Sequence, residues 1–471
     1  MTSRSLPCLA PLASLVAAML LASPAGSETI HKDAVRRQVE RQVAGRGRPV
    51  NVESAASEVR VSAGSGDQVQ VTAALEFWSN DKEYMTRVQE RFDVELAEAS
   101  DGIRIRAKLP DRPAAGGLRR LLGDIEVSYS IALNLTVPRG TPLKVSNSFG
   151  DVAIQGVGGP VQAHNQSGKI SLEGAKGSVS LEGSFGDISA RSIEGDLNAS
   201  STSGAIAASG VSGAANLASS YGDVQVEDVR GRLAVATTSG SVTVTRVGPS
   251  TLATSYGDVT AESVGGDLTI AVTSGHSRVT DVAGRLKLES SYGDVAVERL
   301  GGSAEIATTS GGVTAIDLRG DLVVRCSFGS VRARNIGGGM RVTASSTPVE
   351  AEMIGGPVNV ETTFGGVRLT DVRGAVTVQD QSGSVTVQGL SGAALEAQHH
   401  VETSFGDIDF HWPKGRAVSY KLEGTFGWIQ SDLPGNVREI SSRRILEGRQ
   451  GAGGASLSLV TQSGNIDLKS Q

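Results

Sequence analysis

The chain of 471 residues carries 44 basic and 50 acidic side chains, a formal net charge of −6 that excludes an overall basic field for nucleic acid or an anionic membrane. Glycine supplies 60 residues and aromatic side chains only 4%, which excludes a large aromatic core and favours many tight turns around a thin aliphatic one. This length would ordinarily suggest two or three domains, but an internal repeat overrides that expectation.

The N-terminus has the pattern of a signal peptide over residues 1–25. Arg4 precedes an apolar run from Leu9 to Leu21, and small residues before and at Ala25 suit cleavage there. No later stretch reaches the length of a membrane span, so the mature chain is predicted to have no transmembrane segment. The sequence thus predicts an exported protein that is periplasmic, outer-surface-associated or secreted.

Residues 26–49 are predicted to form a basic helical or linker segment, since Val35, Val39 and Val43 recur every four positions, as on one face of a short helix. Basic residues outnumber acidic ones: Lys32, Arg36, Arg37, Arg41, Arg46 and Arg48 against Glu28, Asp33 and Glu40. We interpret the segment as a solvated linker or end-cap; the alternative is a basic anchor to anionic envelope polymers.

Residues 50–147 are predicted to form a β-rich N-terminal module. Apolar and polar residues alternate in VRVSAGSGDQVQVTAALEF and in FDVELAEASDGIRIRAKL, where Asp101-Gly102 marks a hairpin turn. Between these stretches, SNDKEYMTRVQERF has capping residues followed by an apolar stripe, which predicts one short helix.

An eighteen-residue repeat fills residues 148–398. It runs SFGDVAIQGVGGPVQAHN, then QSGKISLEGAKGSVSLEG, and continues in that alternation for fourteen rungs, which predicts a solenoid. With each rung numbered from the Ser, Thr or Gln at its start, glycine occupies position 3 except at Thr347 and position 12 except at Pro249. We expect the chain to turn at these two corners.

Aliphatic residues recur at positions 5 and 7, at positions 14 and 16, and at position 10. Alternate residues of a strand share a face, so these columns should point inward; they include Val224 and Val226, Val242 and Val244, Leu233 and Val235, Leu268 and Ile270, and Val229, Leu300 and Ile354. The predicted fold is all-β: a parallel β-solenoid, flattened and two-sided, with about 18 residues per rung. A three-sided coil is the alternative.

Residues 399–471 break the period and are predicted to form a C-terminal β cap. They echo the repeat in ETSFGDIDFHWP and LVTQSGNIDL while adding Trp412, Trp428 and two prolines. A cap is needed because the last rung of a solenoid otherwise exposes unpaired strand edges.

The rungs alternate in kind, because odd rungs carry an aromatic residue at position 2 where even rungs carry serine. The candidate ligand-binding residues are Phe149, Phe185, Tyr221, Tyr256, Tyr292, Phe328 and Phe364. Such an aromatic ladder, with a spacing of about 9 to 10 Å, could stack on sugar rings or insert into a partner surface. The simpler interpretation is structural, with each ring covering a corner and packing over the serine beneath it.

Aspartate follows the aromatic-Gly pair on most odd rungs, but Ser330 and Gly366 replace it on two. A carboxylate column is one signature of calcium sites, yet the G-G-x-G-x-D pattern of calcium-binding rolls is absent. Aspartate is also a common turn residue. We therefore predict no metal and no cofactor.

Catalytic constellations are missing from the sequence. The six histidines lack zinc-type spacing, and the His399-His400 pair is interpreted as part of the loop leaving the last rung. No nucleophile elbow, P-loop or dinucleotide fingerprint is present. We predict no catalytic residues and no enzyme activity.

The S-F-G-D-V, T-S-G-x-V and G-G-x-L-x-V segments, with the LTVPRGTPLKVSNSFGDV and LVTQSGNIDL flanks, resemble the bacterial family named "putative adhesin" over roughly Val50 to Leu468. The resemblance implies an exported β-solenoid associated with the cell envelope. It implies no catalytic or ligand residues, because none is established in that family.

Together these features predict a non-enzymatic, adhesin-like scaffold that acts in adhesion or cell-envelope organisation through its faces and aromatic edge. One alternative is a carbohydrate-binding or polysaccharide-processing solenoid; another is an envelope-stress or assembly accessory protein. The partners expected are a cell-surface glycan, an envelope polymer or a protein, and no nucleic acid.

Overall fold

The computed structural model describes residues 33–110 and 126–471. The predicted signal peptide and the first part of the basic segment lie outside the described residues. No helix of the described part is long and apolar enough to cross a membrane. The described chain divides into two compact units, the smaller made of residues 33–38, 74–93, 109–110 and 126–131, and the larger of residues 39–73, 94–108 and 132–471.

The smaller unit contains the predicted short helix, α1, at Lys82–Arg91. The helix begins where the side chain of Asp81 accepts a hydrogen bond from the backbone N–H of Tyr84 at 3.1 Å, which satisfies one of the free donors of the first turn. Tyr84 and Val88 are buried on one face, and the Tyr84 ring meets Phe77 edge-on at 5.3 Å. The prediction of a helix here is confirmed.

Within residues 33–110 and 126–471, the other regular structure consists of β-strands and one 3-10 helix, Gly392–Glu396. The strands before and at the start of the repeat are β1 Val35–Ala44, β2 Val50–Ser54, β3 Glu58–Gly64, β4 Gln68–Ser79, β5 Asp93–Ala99, β6 Gly102–Lys108, β7 Val127–Pro138, β8 Leu143–Phe149 and β9 Val152–Gln155. Those of the repeat are β10 Val161–Ser167, β11 Ile170–Lys176, β12 Val179–Phe185, β13 Ile188–Glu194, β14 Leu197–Ser201, β15 Ile206–Val211, β16 Ala215–Ser219, β17 Val224–Val229, β18 Leu233–Ser239, β19 Val242–Val247, β20 Ser250–Tyr256, β21 Val259–Val264, β22 Leu268–Ser274, β23 Ser277–Val282, β24 Leu286–Tyr292, β25 Val295–Leu300, β26 Ala304–Ser310, β27 Val313–Leu318, β28 Leu322–Phe328, β29 Val331–Ile336, β30 Met340–Ser346, β31 Val349–Ile354, β32 Val358–Phe364, β33 Val367–Val372, β34 Val376–Ser382 and β35 Val385–Gln388. Those after it are β36 Gln398–Phe405, β37 Ile408–Trp412, β38 Val418–Phe426, β39 Ile429–Ser431, β40 Gly435–Ile440, β41 Arg443–Gln450, β42 Ala455–Ser463 and β43 Ile466–Ser470.

The strands form two sheets, and each rung contributes one strand to each. The first sheet holds β1, β3, β4, β7, the odd-numbered strands from β9 to β39 and β43; the second holds the remaining strands. Within the repeat every strand pairs in parallel with its equivalent one rung away: Val224 lies opposite Val242, and Val242 opposite Val259. All three valines are at most 1% exposed, so the predicted aliphatic columns are confirmed.

The predicted fold class is therefore confirmed: a parallel β-solenoid of about 14 turns with ~18 residues per rung. The two sheets place the core between them, and the three-sided alternative is not adopted. Burying one Val or Leu side chain contributes about 1.5 to 3 kcal/mol, so the stacked inward columns dominate the stability of the solenoid.

A left-handed residue at position 9 occurs in every rung, and the sequence pattern did not predict it. The φ angles lie between 54° and 73°, at Gly156, Gly174, Ser192, Gly210, Asp228, Arg246, Ser263, Asp281, Arg299, Asp317, Asn335, Met353, Asp371 and Gly389. In β17 this residue makes two consecutive side chains point outward, Glu227 and Asp228, before Val229 returns to the core. The left-handed residue at position 9 therefore explains why the inward side chains change from the odd positions 5 and 7 to the even position 10.

The glycine corners are required by the close approach of neighbouring rungs. At Gly186 and at Gly231 an added Cβ would collide with the backbone carbonyl one rung below, belonging to Gly168 and Gly213 respectively. Gly186 also has a φ of 144°, which L side chains rarely adopt. Both corner columns are thus explained by steric exclusion of a side chain.

Both ends of the larger unit contain a layer inserted out of chain order. At the start, β2 pairs with β6 on one side and β8 on the other, and β3 lies likewise between β7 and β9. At the other end, β42 lies between β36 and β38, and β43 lies between β37 and β39. The antiparallel strands β41 and β40 follow β38 at the end of the second sheet.

The helical prediction for residues 26–49 is wrong where the structure describes the segment, because Val35–Ala44 is strand β1. Val39 is buried, and Val35 and Val43 are partly buried. A spacing of four places side chains on one face of a helix, but it is also a multiple of two and places them on one face of a strand. The signal for a strand was the residue type, because all three are valines and β-branched residues favour strands.

Candidate functional site: an exposed aromatic ladder

The seven predicted aromatic residues lie in one line along an edge of the solenoid. The strand register alternates ring and serine: Ser239 is opposite Tyr256, Tyr256 opposite Ser274, and Ser274 opposite Tyr292. The same column continues beyond the repeat, where Phe405 and Phe426 are both opposite Ser463. We call these nine aromatic residues the aromatic ladder.

All nine residues of the ladder are exposed, with 55% to 67% of each residue's surface accessible. Position 2 lies at the end of a strand, past the last inward residue and directly before the corner glycine, so its side chain projects beyond the core. The rings therefore do not fill the interior of the corners. The intervening serines, such as Ser274 and Ser310, are partly buried.

The ladder has a regular spacing set by the sheet. Neighbouring strands lie about 4.8 Å apart, so rings on alternate strands repeat about every 9.6 Å, and nine rings extend over roughly 77 Å. The spacing between the last two rings, Phe405 of β36 and Phe426 of β38, depends on the inserted strand β42, because its Ser463 lies between them. Phe405 and Phe426 share the sequence motif of the seven predicted rings, and the register places them in the same column.

The aspartates beside the ladder cap the backbone of the next rung. The Oδ1 atoms of Asp151, Asp223 and Asp294 accept hydrogen bonds, at 2.7 to 2.8 Å, from the backbone N–H at position 4 of the following rung. Ser330 replaces aspartate where the following rung carries Pro348 at that position, and proline has no N–H to cap. The aspartate column therefore has a structural role, as a turn residue does.

A second, inward column of polar residues lies under the first corner at position 18, and the sequence reasoning missed it. Some of its hydroxyl and amide groups bond the backbone of the corner, as when Asn165 donates to the carbonyl of Gly150 at 2.8 Å and the N–H of Gly222 donates to Ser219 at 2.9 Å. The buried hydroxyl groups of Ser290, Thr308 and Thr362 have no partner in the described residues. The signal was present, since Ser and Thr recur directly before the corner every eighteen residues.

One member of this polar column is a carboxyl group, Asp380, which is only 6% exposed. It lies between Thr362 and Thr403 of the neighbouring strands. Oδ1 accepts a bond from the Ser382 N–H at 3.3 Å, whereas Oδ2 has no partner in the described residues. Burial raises the pKa of Asp380 to about 6, against the smaller opposing effect of backbone hydrogen bonds from Ser382 and Gln381.

A shallow groove of about 700 Å³ runs along the outer face of the second sheet. Most of its lining is small, with Ala253, Ala271 and Thr273 typical, and Glu289 and Arg325 supply its charged side chains. The ladder rings are not among its lining residues. The groove therefore borders the ladder without including its rings, since its lining residues Ser255, Ser291 and Ser327 directly precede Tyr256, Tyr292 and Phe328.

The histidine pair was predicted to lie in a loop, and this is wrong, since both residues lie in β36. His399 is buried: its Nε2 is 2.7 Å from the Ala394 carbonyl oxygen and its Nδ1 accepts the Val376 N–H at 3.2 Å. Burial lowers the pKa of His399. The 3-10 helix Gly392–Glu396 lies between β35 and β36 and lengthens this connection. After it, β36 pairs with β34 of the preceding rung. Within the described ranges no group of three or more His, Cys, Asp or Glu side chains could hold a metal ion.

Comparison with protein families connects this geometry to known sequences. Residues 49–265, 231–320 and 320–469 match the model of the family described as Toastrack DUF4097. The chain belongs to the Toastrack DUF4097 family. The relationship to an adhesin-like family of unknown function, which the sequence analysis identified, is confirmed. No curated protein matches the chain.

Solved structures similar to this Toastrack DUF4097 protein are distant from it. A putative cell adhesion protein from Clostridium sporogenes is 8% identical, covers 93% of this chain and 100% of its own, and has a TM-score of 0.16. Putative adhesins from Parabacteroides merdae and Parabacteroides distasonis are 8% and 10% identical, cover 69% and 75% of this chain and 96% of their own, and both have TM-scores of 0.18.

Proposed function

We propose that this Toastrack DUF4097 protein is a non-enzymatic, exported, adhesin-like scaffold that acts in adhesion or in organising the cell envelope. The observation that carries the proposal is the aromatic ladder: nine side chains, each more than half exposed, in one line. Single exposed apolar side chains are ordinary on a soluble protein, but a regular line of large ones indicates an interaction surface. Aromatic side chains are also the residues most enriched at binding surfaces.

The rest of the architecture supports a scaffold. The stability of the solenoid comes from inward columns, so outward positions are free to vary without loss of the fold. Even rungs carry serine at position 2, so this corner is also built without an aromatic side chain. A ring on every odd rung is therefore available for contact with a partner.

The basic N-terminal segment gives less support to an envelope anchor. Arg36 pairs with Glu76 at 2.7 Å and Arg48 pairs with Glu98 at 3.0 Å. These partners neutralise part of the charge that an anionic polymer would need to contact. We therefore place the proposed interaction surface on the ladder.

The test uses serine, which the repeat itself places at this position on even rungs. The exported protein with Tyr256→Ser and Tyr292→Ser is compared with wild type for co-sedimentation with isolated cell envelopes of its host. The matched control carries Ser274→Ala and Ser310→Ala, which change the same column without removing a ring. We expect the tyrosine variant to lose binding while its circular dichroism and unfolding midpoint stay close to wild type.

Equal binding by wild type and by the tyrosine variant would remove the ladder as the functional surface. Location is tested separately, by fractionating cells that make the full-length chain. The proposal requires the protein in the periplasm, on the outer surface or in the medium, and recovery from the cytoplasm alone would contradict it.

A further inference from the structure

We infer that the aromatic ladder binds an extended β-1,4-linked glycan, with one ring contacting one disaccharide. The inference rests on the proposed function and names the ligand class of the same surface. It follows from three properties of the ladder: its spacing, its alternation of rings with hydroxyl groups, and the charge beside it.

The spacing is the first argument. Rings on alternate strands repeat about every 9.6 Å, which is close to the advance of an extended β-1,4-linked glycan over one disaccharide. Successive sugars in such a chain are turned over relative to each other, so the same sugar face returns once per disaccharide. A straight chain laid along the edge therefore presents an equivalent C–H face to each of several neighbouring rings.

The alternation is the second argument. Between two rings of the ladder stands a serine on the intervening strand, as Ser274 stands between Tyr256 and Tyr292. Each sugar of such a chain has an apolar C–H face and hydroxyl groups, and the column offers an aromatic face and a hydroxyl group in turn. A protein partner would instead favour a continuous apolar patch, since the buried core of a protein interface is more apolar than the rest of the surface.

The identity of the rings fits the same ligand. Some odd rungs carry phenylalanine and others tyrosine, as Phe185 and Tyr221 do on consecutive odd rungs. What recurs is therefore the π-face and not the phenolic hydroxyl. Stacking on a ring face tolerates such exchange.

Charge is the third argument. Carboxylates lie two residues from the ladder rings on most odd rungs, at Asp151, Asp187, Asp223, Asp258, Asp294 and Asp407. A row of like charges repels a polyanion, so the edge disfavours nucleic acid and acidic polysaccharides. The occupant that fits is a neutral glycan.

The experiment measures binding of cello-oligosaccharides and chito-oligosaccharides of two, four and six sugars to the full exported chain by titration calorimetry. Malto-oligosaccharides of equal length, which are α-1,4-linked, are the control for linkage. Because each added disaccharide reaches one more ring, we expect the affinity for one or both β-1,4 series to rise about tenfold per disaccharide, as for stacking of one further base on an aromatic side chain. The α-linked series should show no such steps.

The variants locate the site. Tyr256→Ser with Tyr292→Ser should weaken binding of the six-sugar ligand at least tenfold, and Ser274→Ala should weaken it by a smaller factor, because only one hydrogen-bonding group is lost. Tyr256→Phe keeps the ring face and should leave binding within about twofold. These serine substitutions repeat the residue of even rungs, so the variants are expected to fold, and circular dichroism verifies it.

Three results would overturn the inference. The first is equal affinity for α- and β-linked series, and the second is affinity that does not depend on chain length. The third is absence of glycan binding while the tyrosine variant still loses its hold on cell envelopes, which would indicate a protein partner and leave the proposed function standing. If envelope binding is also independent of the rings, both proposals fail together.

Discussion

Replacing Asp380 by threonine should stabilise the solenoid at neutral pH. Threonine is the residue of the two strands that flank Asp380, at Thr362 and Thr403, so the substitution restores the local pattern. The pKa of Asp380 is raised from 3.8 to about 6 because the side chain is buried. One pKa unit corresponds to about 1.4 kcal/mol, so keeping this group ionised in the folded state costs about 3 kcal/mol at pH 7.

The sign of the pH dependence follows from the direction of the shift. Below about pH 4 the carboxyl group is protonated in both the folded and unfolded states, and no penalty exists. As pH rises from about 4 to about 6 the unfolded chain ionises first, and the folded protein loses stability over that window. Above about pH 6 the penalty is constant. Asp380→Thr removes it, so the gain in stability should be small at pH 4 and largest above pH 6.

The assay is chemical unfolding followed by circular dichroism, with midpoints compared at pH 4, 5, 6, 7 and 8. Glu361→Thr is the matched control, because Glu361 is an exposed carboxylate on the same sheet. The control should change stability by no more than about 0.5 kcal/mol. A gain for Asp380→Thr that is the same at pH 4 and pH 8 would refute the account, since only an ionisation penalty varies over that range.

Three further predictions concern the construction of the rungs. Gly240→Ala should lower the free energy of unfolding by about 1 to 3 kcal/mol in a urea titration, because the added Cβ would collide with the backbone of the neighbouring rung. Asp223→Ala should cost about 1 kcal/mol in the same titration, since a backbone N–H loses its acceptor; Ser330→Asp, which faces Pro348, should give no matching gain. Deleting residues 455–471 should remove hydrogen-exchange protection from β36 to β39, because the deleted strands lie between them.

Each of these has an outcome that contradicts it. An unchanged midpoint for Gly240→Ala would mean that neighbouring rungs can move apart at little cost. A stabilising Ser330→Asp would show that the aspartates act otherwise than by capping. Retained protection of β36 to β39 in the shortened chain would show that the inserted layer is not needed to order its neighbours.

The sequence determined the body of the solenoid, and the reason is the repeat. A strand places alternate side chains on one face, and an eighteen-residue period brings Val224 over Val242 in register. The inward columns, the glycine corners and the aromatic column could all be read from this one pattern. Each rung packs only on its neighbours, so the order of the strands in the middle of the solenoid follows their order in the sequence.

The ends could not be predicted in the same way. The edge of a parallel sheet can pair with any strand whose inward and outward side chains alternate in the same way. The repeat therefore does not predict whether two rungs that are neighbours in space are also neighbours in sequence. The structure inserts residues 455–470 between two layers that are consecutive in the chain. The three valines of β1 recur every four residues, and this spacing did not distinguish one face of a helix from one face of a strand.

The sequence by itself thus determined which side chains face inward and where the chain turns, since both follow from local periodicity and from steric limits on the backbone. Only the tertiary structure decided the order of the layers at the ends, the exposure of the aromatic ladder and the burial that raises the pKa of Asp380. These depend on which groups surround a residue in space, and that environment is set by the packed rungs together.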